Sequence, residues 1–223
     1  MKVTKYNQSC LIIETNNKRI LIDPGKFGYV DERVTNDWVN IDTILITHKH
    51  GDHCYKEIIE QIMQRDNAEL YITNEIQDTH HFAKYNLVKE NDVIKLDDIT
   101  ITVTKAIHGF WTMMKYSGGE IKENVGYIID DGKVKLYTTS DTINFNNDYQ
   151  CDILCMPFNG NGLTMGIIDG TAFAKEINPK LLLPIHMEHP NPLINPDLTI
   201  LEESLNKEEI NYKILAVKES IEI

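Results

Sequence analysis

The chain has 223 residues, 34 acidic against 22 basic, for a formal net charge of −12 at pH 7. That length supports one sizeable core, and 42% hydrophobic with 25% charged residues excludes a disordered chain. The negative balance argues against a nucleic-acid binder, and no run approaches the roughly 20 apolar residues of a membrane span.

The first residues, Met1-Lys2-Val3-Thr4-Lys5, are too polar for a secretory leader. A cytoplasmic protein is therefore expected, with Cys10, Cys54, Cys151 and Cys155 as reduced thiols. Cys151 and Cys155 bracket an apolar run, where small thiols pack well, and the paired Cys-x2-Cys spacing of a zinc knuckle is absent.

Residues 10–14 and 19–23 flank Asn16-Asn17 as a hairpin, and Pro24-Gly25 ends its second strand. A long loop runs from about residue 26 to 40, the kind that often serves function. Residues 41–47 form an apolar, β-branched run and read as a buried strand. Residues 56–65 carry Ile58, Ile59, Ile62 and Met63 at helical spacing. A strand at 70–73, a helix at 74–84 and a strand pair at 93–96 and 99–106 follow. Residues 125–129 and 134–137 form a hairpin around Asp130-Asp131-Gly132, and 152–157 is a further apolar strand. The C-terminal part reads as helix 171–177, strand 180–185, helix 198–205 and a final strand at 213–217. Hairpins open each half and helix–strand alternation follows. The fold class predicted is α+β: two mixed sheets packed together with helices outside, a four-layer αββα sandwich made by one domain over residues 1–223.

The decisive stretch is His48-Lys49-His50-Gly51-Asp52-His53, directly after the strand at 41–47. Four specified residues in six seldom meet by chance. His48 and His50 can point the same way, as i and i+2 do in an extended segment, while Asp52 and His53 turn away as the helix starts. One loop can thus offer two ligands to each of two ions. Further ligands should come from other strand ends, and His108, Asp141 and His186 each close an apolar strand. A lone strand-end histidine or aspartate is more often structural; the combination is what points to metal. His80 and His81 are adjacent within the expected helix and read as surface or core residues, and Cys54 reads as helix packing.

These residues, together with Leu21-Ile22-Asp23-Pro24-Gly25, Ser140-Asp141-Thr142 and Pro184-Ile185-His186, make the chain resemble the metallo-β-lactamase superfamily over nearly its whole length. The resemblance implies that His48, His50 and His108 bind one metal, that Asp52, His53 and His186 bind a second, and that Asp141 bridges them. It implies that Asp23 fixes a ligand's orientation. Two divalent ions, zinc, manganese or iron, would then hold a bridging hydroxide. Asp52 would also orient that hydroxide. His189, three residues after His186, reads either as a solvent-exposed loop residue or as one that touches substrate or donates a proton to the leaving group.

Within the superfamily, Met156-Pro157-Phe158-Asn159-Gly160-Asn161-Gly162-Leu163-Thr164-Met165 looks like a segment of the branch of L-ascorbate-6-phosphate lactonase-like and N-acylphosphatidylethanolamine phospholipase D-like proteins. It departs at Phe158-Asn159, where that branch has small residues. Asn159, Thr164 and Met165, with Trp111, would line the substrate pocket. The expected activity is hydrolysis of an ester-type bond, a lactone or phosphodiester, in a small molecule. The alternatives are a mononuclear iron oxidoreductase of the persulfide dioxygenase kind and a thioester hydrolase. The sequence leaves a monomer and a homo-oligomer equally open.

Overall fold

Alternating burial along the strands sorts the apolar side chains into three layers in a computed structural model, which describes residues 1–29 and 36–223. Residues 30–35 of the expected 26–40 loop lie outside the described residues. One sheet contains β1 (Lys2–Lys5), β2 (Leu11–Thr15), β3 (Lys18–Ile22), β4 (Thr43–Leu45), β5 (Glu69–Ile72), β6 (Asn86–Leu87) and β13 (Ser220–Glu222). Its order is β13-β1-β2-β3-β4-β5-β6, antiparallel as far as β3 and parallel from β3 to β6. The other sheet contains β7 (Val93–Leu96), β8 (Ile99–Lys105), β9 (Val125–Asp130), β10 (Lys135–Thr138), β11 (Ile153–Pro157) and β12 (Leu181–Ile185). Its order is β12-β11-β10-β9-β8-β7, with β10, β11 and β12 parallel and the rest antiparallel.

Leu11, Ile13, Ile20 and Ile22 of the first sheet meet Ile99, Ile101, Val103, Ile129 and Leu136 of the second in the central core. The alternate residues face outward. Ile12, Leu21 and Ile44 pack under α1 (Lys56–Asp66) and α2 (Asn74–His80), and Leu154 and Met156 pack under α4 (Ile167–Ile177) and α5 (Leu198–Lys207). α3 (Met114–Ser117) is a single short turn, and 3-10 turns cover Lys26–Tyr29 and Pro192–Ile194. The αββα sandwich expected from the sequence is the fold observed.

Several boundaries differ from the sequence reading. β4 is three residues, Thr43–Leu45, because the chain pairs with both neighbours only there. α2 ends at His80 rather than near residue 84: His81 turns left-handed with its N–H on the Gln77 carbonyl, and Phe82 leaves the axis to bury in the outer core. α4 starts four residues earlier than expected, capped at Gly166. The expected strand at 213–217 does not form. Lys213 makes one backbone bond to Leu182, and Ala216–Glu219 then turns, so the last strand is Ser220–Glu222. β1 went unread because two lysines frame it, yet Lys5 is fully buried with its ammonium on Glu188.

Strands β3, β4, β8, β10, β11 and β12 all end at one edge of the sandwich, since β8 and β10 run the same way through β9. The residues that follow those ends build the site.

Candidate metal centre

The candidate ligands converge in two sets, His48 with His50 and His108, and Asp52 with His53, Asp141 and His186; within each set the ligating atoms lie within 4.8 Å of one another. The structure therefore brings together residues from four separate strand ends. His48 follows β4, His108 follows β8, Asp141 follows β10 and His186 follows β12.

Hydrogen bonds settle which ring nitrogen each histidine presents. His53 donates from Nδ1 to Asp23 Oδ2 at 2.8 Å, and its buried Nε2 has no hydrogen-bond partner. Thr47 Oγ1 donates to Asp23 Oδ2 at 2.8 Å and accepts from His48 Nδ1 at 3.1 Å, which leaves His48 Nε2 as a lone pair. His108 donates from Nδ1 to the Gly109 carbonyl at 2.7 Å. His50 is the reverse: its Nε2 donates to the Gly119 carbonyl at 2.8 Å, so Nδ1 is the lone pair. That lone pair faces His48 Nε2 at 3.2 Å. Two facing nitrogen lone pairs, and a buried His186 with neither ring nitrogen hydrogen-bonded, fit a cation between them. The donor sets suit a borderline or hard divalent ion: three imidazoles in one, two imidazoles and two carboxylates in the other.

Charge is balanced within the second set. Asp141 Oδ2 lies 3.3 Å from His53 Nε2 and 3.2 Å from His186 Nε2, and Asp52 Oδ2 lies 3.3 Å from His186 Nε2. Burial alone would lower both imidazoles. The carboxylates, Asp141 foremost, outweigh it and hold His53 well above its ordinary value and His186 at about 9. Burial would likewise raise Asp52 and Asp141, but the imidazoles hold both below the usual carboxylate range. In the first set burial dominates and pushes His48 and His108 down, so they stay neutral and basic in the Lewis sense.

The backbone around the site is strained. Asp23, Ser140 and His186 all sit at positive φ, 47°, 63° and 57°. Non-glycine residues adopt that region at a cost, which tends to be carried where function requires it. The turn at Asp23 is laced to the motif loop: Lys26 N bonds Gly51 O at 2.7 Å, and a Cβ on Gly25 would sit 1.7 Å from Asp52 O.

A cavity of about 160 Å³ opens onto this centre, lined by His50, Asp52, His108, Trp111, Asp141, Asn159, Thr164, His186, His189 and Ile194 among others. Trp111, Asn159, Thr164 and His189 are thus among the residues that line it. Met165 does not line the cavity; it is 1% exposed and belongs to the outer core beside Phe158 and Phe173. Its neighbour Thr164 faces the cavity and alternation turns Met165 inward, so this expectation is corrected. Cys54 is a buried thiol in the α1–α2 core, as expected, and His80 and His81 belong to neither donor set. His80 nonetheless touches the motif, donating from Nε2 to the Lys49 carbonyl at 2.9 Å.

Three contributors escaped the sequence reading. Ser9, fully buried, lies with its hydroxyl 3.5 Å from Asp141 Oδ1, and Gln8 accepts the His186 N–H on its carbonyl at 3.0 Å. Asn124 donates to the Asp141 carbonyl at 2.6 Å. None follows an apolar strand, so no local pattern marks them.

The family described as "Beta-lactamase superfamily domain" matches residues 2–186. A "UPF0173 metal-dependent hydrolase" of Geobacillus thermodenitrificans is 30% identical over 199 residues, covering 83% of this chain and 85% of the relative. Another of that description, from Archaeoglobus fulgidus, is 24% identical over 98% of this chain and 96% of its own. Among solved structures, Igni18, a metallo hydrolase from Ignicoccus hospitalis, superposes with a TM-score of 0.80 at 22% identity, over 99% of this chain and 97% of that one.

Proposed function

Because this chain belongs to the beta-lactamase superfamily domain family, and its relatives there are named metal-dependent hydrolases, we propose that it is a metal-dependent hydrolase that cleaves an ester-type bond, a lactone or phosphodiester, of a small molecule. The observation that carries this reading is the pair of adjacent donor sets, each complete, at the floor of one small cavity. His48, His50 and His108 would hold one cation, Asp52, His53 and His186 a second, with Asp141 between them; zinc, manganese and iron all suit these donors. Bound there, the two cations would supply a water acidified enough to attack at neutral pH and would polarise the scissile carbonyl or phosphoryl oxygen.

The chain's own residues do the rest. Asp52, held by His186 and open to the cavity, orients the attacking water. His189 lines the cavity, its ring edge-on to Phe27 at 5.6 Å and its Nδ1 accepting the Asn191 N–H. Its Nε2 is thereby the protonated nitrogen, placed to pass a proton to the departing oxygen. Trp111 lines the cavity, as do Asn159 and Thr164, which are hydrogen-bonded to each other.

No helix among the described residues is long and apolar enough to cross a membrane. The net charge of −12 and four free thiols support a single-domain cytoplasmic protein acting on a small molecule rather than on a nucleic acid.

The test is a screen of lactones, phosphodiesters and thioesters with manganese, zinc and iron, beside elemental analysis. His50→Ala and Asp141→Ala should abolish turnover while far-UV circular dichroism stays native. Wild-type turnover in either variant overturns the reading. One iron per chain with oxygen consumption would point to the oxidoreductase alternative, and preference for a thioester to the other.

A further inference from the structure

The cavity at the metal centre is small. Its volume of about 160 Å³ lies below the roughly 300–1,000 Å³ of a site that encloses a whole ligand, so a substrate of ordinary size extends past it. What the substrate carries beyond that lies over the rim, where two segments bring large apolar side chains. Trp111 and Ile194 both line the cavity. The segment carrying Trp111 also exposes Phe110 at 49% and Met113 at 79%, and Leu193 beside Ile194 is 89% exposed. Large apolar side chains left exposed on the two segments that reach a site mark a surface that is covered in use.

This rim is built rather than loose. Gly109 N donates to Leu163 O at 2.7 Å, and a Cβ on Gly109 would fall 1.9 Å from Gly162 O, so the segment lies flat on the 160–163 loop. The Trp111 indole N–H donates to Asn161 O at 2.6 Å. With its one polar atom satisfied, the ring offers the cavity only an apolar face. In the other segment, Asn195 brackets His189 by accepting its N–H at 2.7 Å and donating to its carbonyl at 3.1 Å, which holds the turn bearing Leu193 and Ile194.

From this geometry, and resting on the hydrolytic reading above, we propose that the substrate is a compact ester-type group on an uncharged apolar tail, alkyl or aryl, that lies across Trp111 and the Leu193–Ile194 turn. A phosphorylated or carboxylated tail would need the hollow on the far side of His108. There Lys89, Lys105 and Lys122 are opposed by Glu90 and Glu123. That hollow has little net charge to hold an anion, whereas the rim continues directly from the cavity.

The experiment uses the zinc- or manganese-loaded protein and p-nitrophenyl esters from acetate to decanoate, with a phosphorylated ester of matched length. kcat/KM should rise about two- to fourfold per methylene over the first members. The slope should flatten in Trp111→Ala and return in Trp111→Phe. A second reading, independent of turnover, is tryptophan emission on titration with 4-phenylbutan-1-ol: a blue shift in the wild type that is absent in Trp111→Phe. Turnover without length dependence, or a preference for the phosphorylated ester, overturns the apolar tail and leaves the hydrolytic reading standing. No turnover of any ester, lactone or phosphodiester together with the blue shift leaves the apolar rim standing and overturns the hydrolytic reading.

Discussion

Asp23 Oδ2 lies 2.8 Å from His53 Nδ1 and at the same time accepts the Thr47 hydroxyl at 2.8 Å, while Oδ1 accepts the Thr47 N–H at 2.8 Å. Through Thr47 the same carboxylate orients His48. One buried group, outside both donor sets, thus fixes a histidine in each.

Replacing that carboxylate should separate metal affinity from folding. Asp23→Asn keeps the shape, and asparagine tolerates the left-handed backbone at φ 47°. Partners of this kind are worth about 10–100-fold in metal affinity, so chelator competition should show a loss in that range with circular dichroism unchanged. Asp23→Ala strips the partners from Thr47 N–H and His53 Nδ1 as well and should lose about 2–4 kcal/mol of stability. Native metal affinity in Asp23→Asn would refute this role.

Gly25→Ala should be the most damaging single methyl group near the site. The added carbon would overlap the Asp52 carbonyl, 1.7 Å away, and its carbon at 2.0 Å. Both are backbone atoms that cannot swing aside, so the 50–53 loop must move. Metal content after purification should fall below one ion per chain, and the thermal midpoint should drop. Full metal content would show that the turn yields more easily than its packing implies.

Glu75 gives the protein an acid-side liability outside the donor sets. Burial would raise this carboxyl, but the Lys49 ammonium at 2.8 Å and the N–H groups of Lys122 and Glu123, each at 2.8 Å, hold it below its ordinary value. A depressed folded-state pKa means stability that is present above the unfolded value, near 4.5, and is lost as pH falls through the folded one. Glu75→Gln should therefore cost about 1–2 kcal/mol at pH 7 and make the variant's stability less sensitive to pH below about 5. Denaturant melts of both proteins at pH 7 and pH 4 check this; equal losses at both would mean the carboxylate charge is irrelevant.

Chelation should soften the fold and cation should restore it. At a hundredfold excess over Kd, a ligand bound only by the native state adds about 2.7 kcal/mol, or about 5–10 °C in Tm for a chain of this size. Differential scanning calorimetry of the chelated protein with and without zinc or manganese should show that increment, and His186→Ala should lose most of it. An unchanged midpoint in the wild type would count against a built metal centre.

Much of this was legible before the structure. The apolar runs at residues 11–13 and 20–22 marked the first hairpin, and every central strand except the short N-terminal one was marked in the same way. The errors lie where one long-range bond or turn outweighs local pattern. Residues 214–217 form an apolar run like a strand's, but Leu215 reaches the central core without sheet pairing, and the left-handed turn at Lys218 delays the last strand to Ser220–Glu222. Met165 belonged to the right segment and the wrong face, since alternation cannot be phased from a loop.

The order of residues alone determined that four imidazole- and carboxylate-bearing groups share one turn after β4 and that three more close other strands, because those facts depend only on spacing and on which runs are apolar. Tertiary structure decided the rest: that His50 presents Nδ1 and its neighbours Nε2, that Asp23 serves two histidines, and that Ser9 and Gln8 stand against Asp141 and His186. Those choices are made by hydrogen bonds between segments far apart in the chain. Such bonds form only once the two sheets have packed, and no local pattern in the sequence carries them.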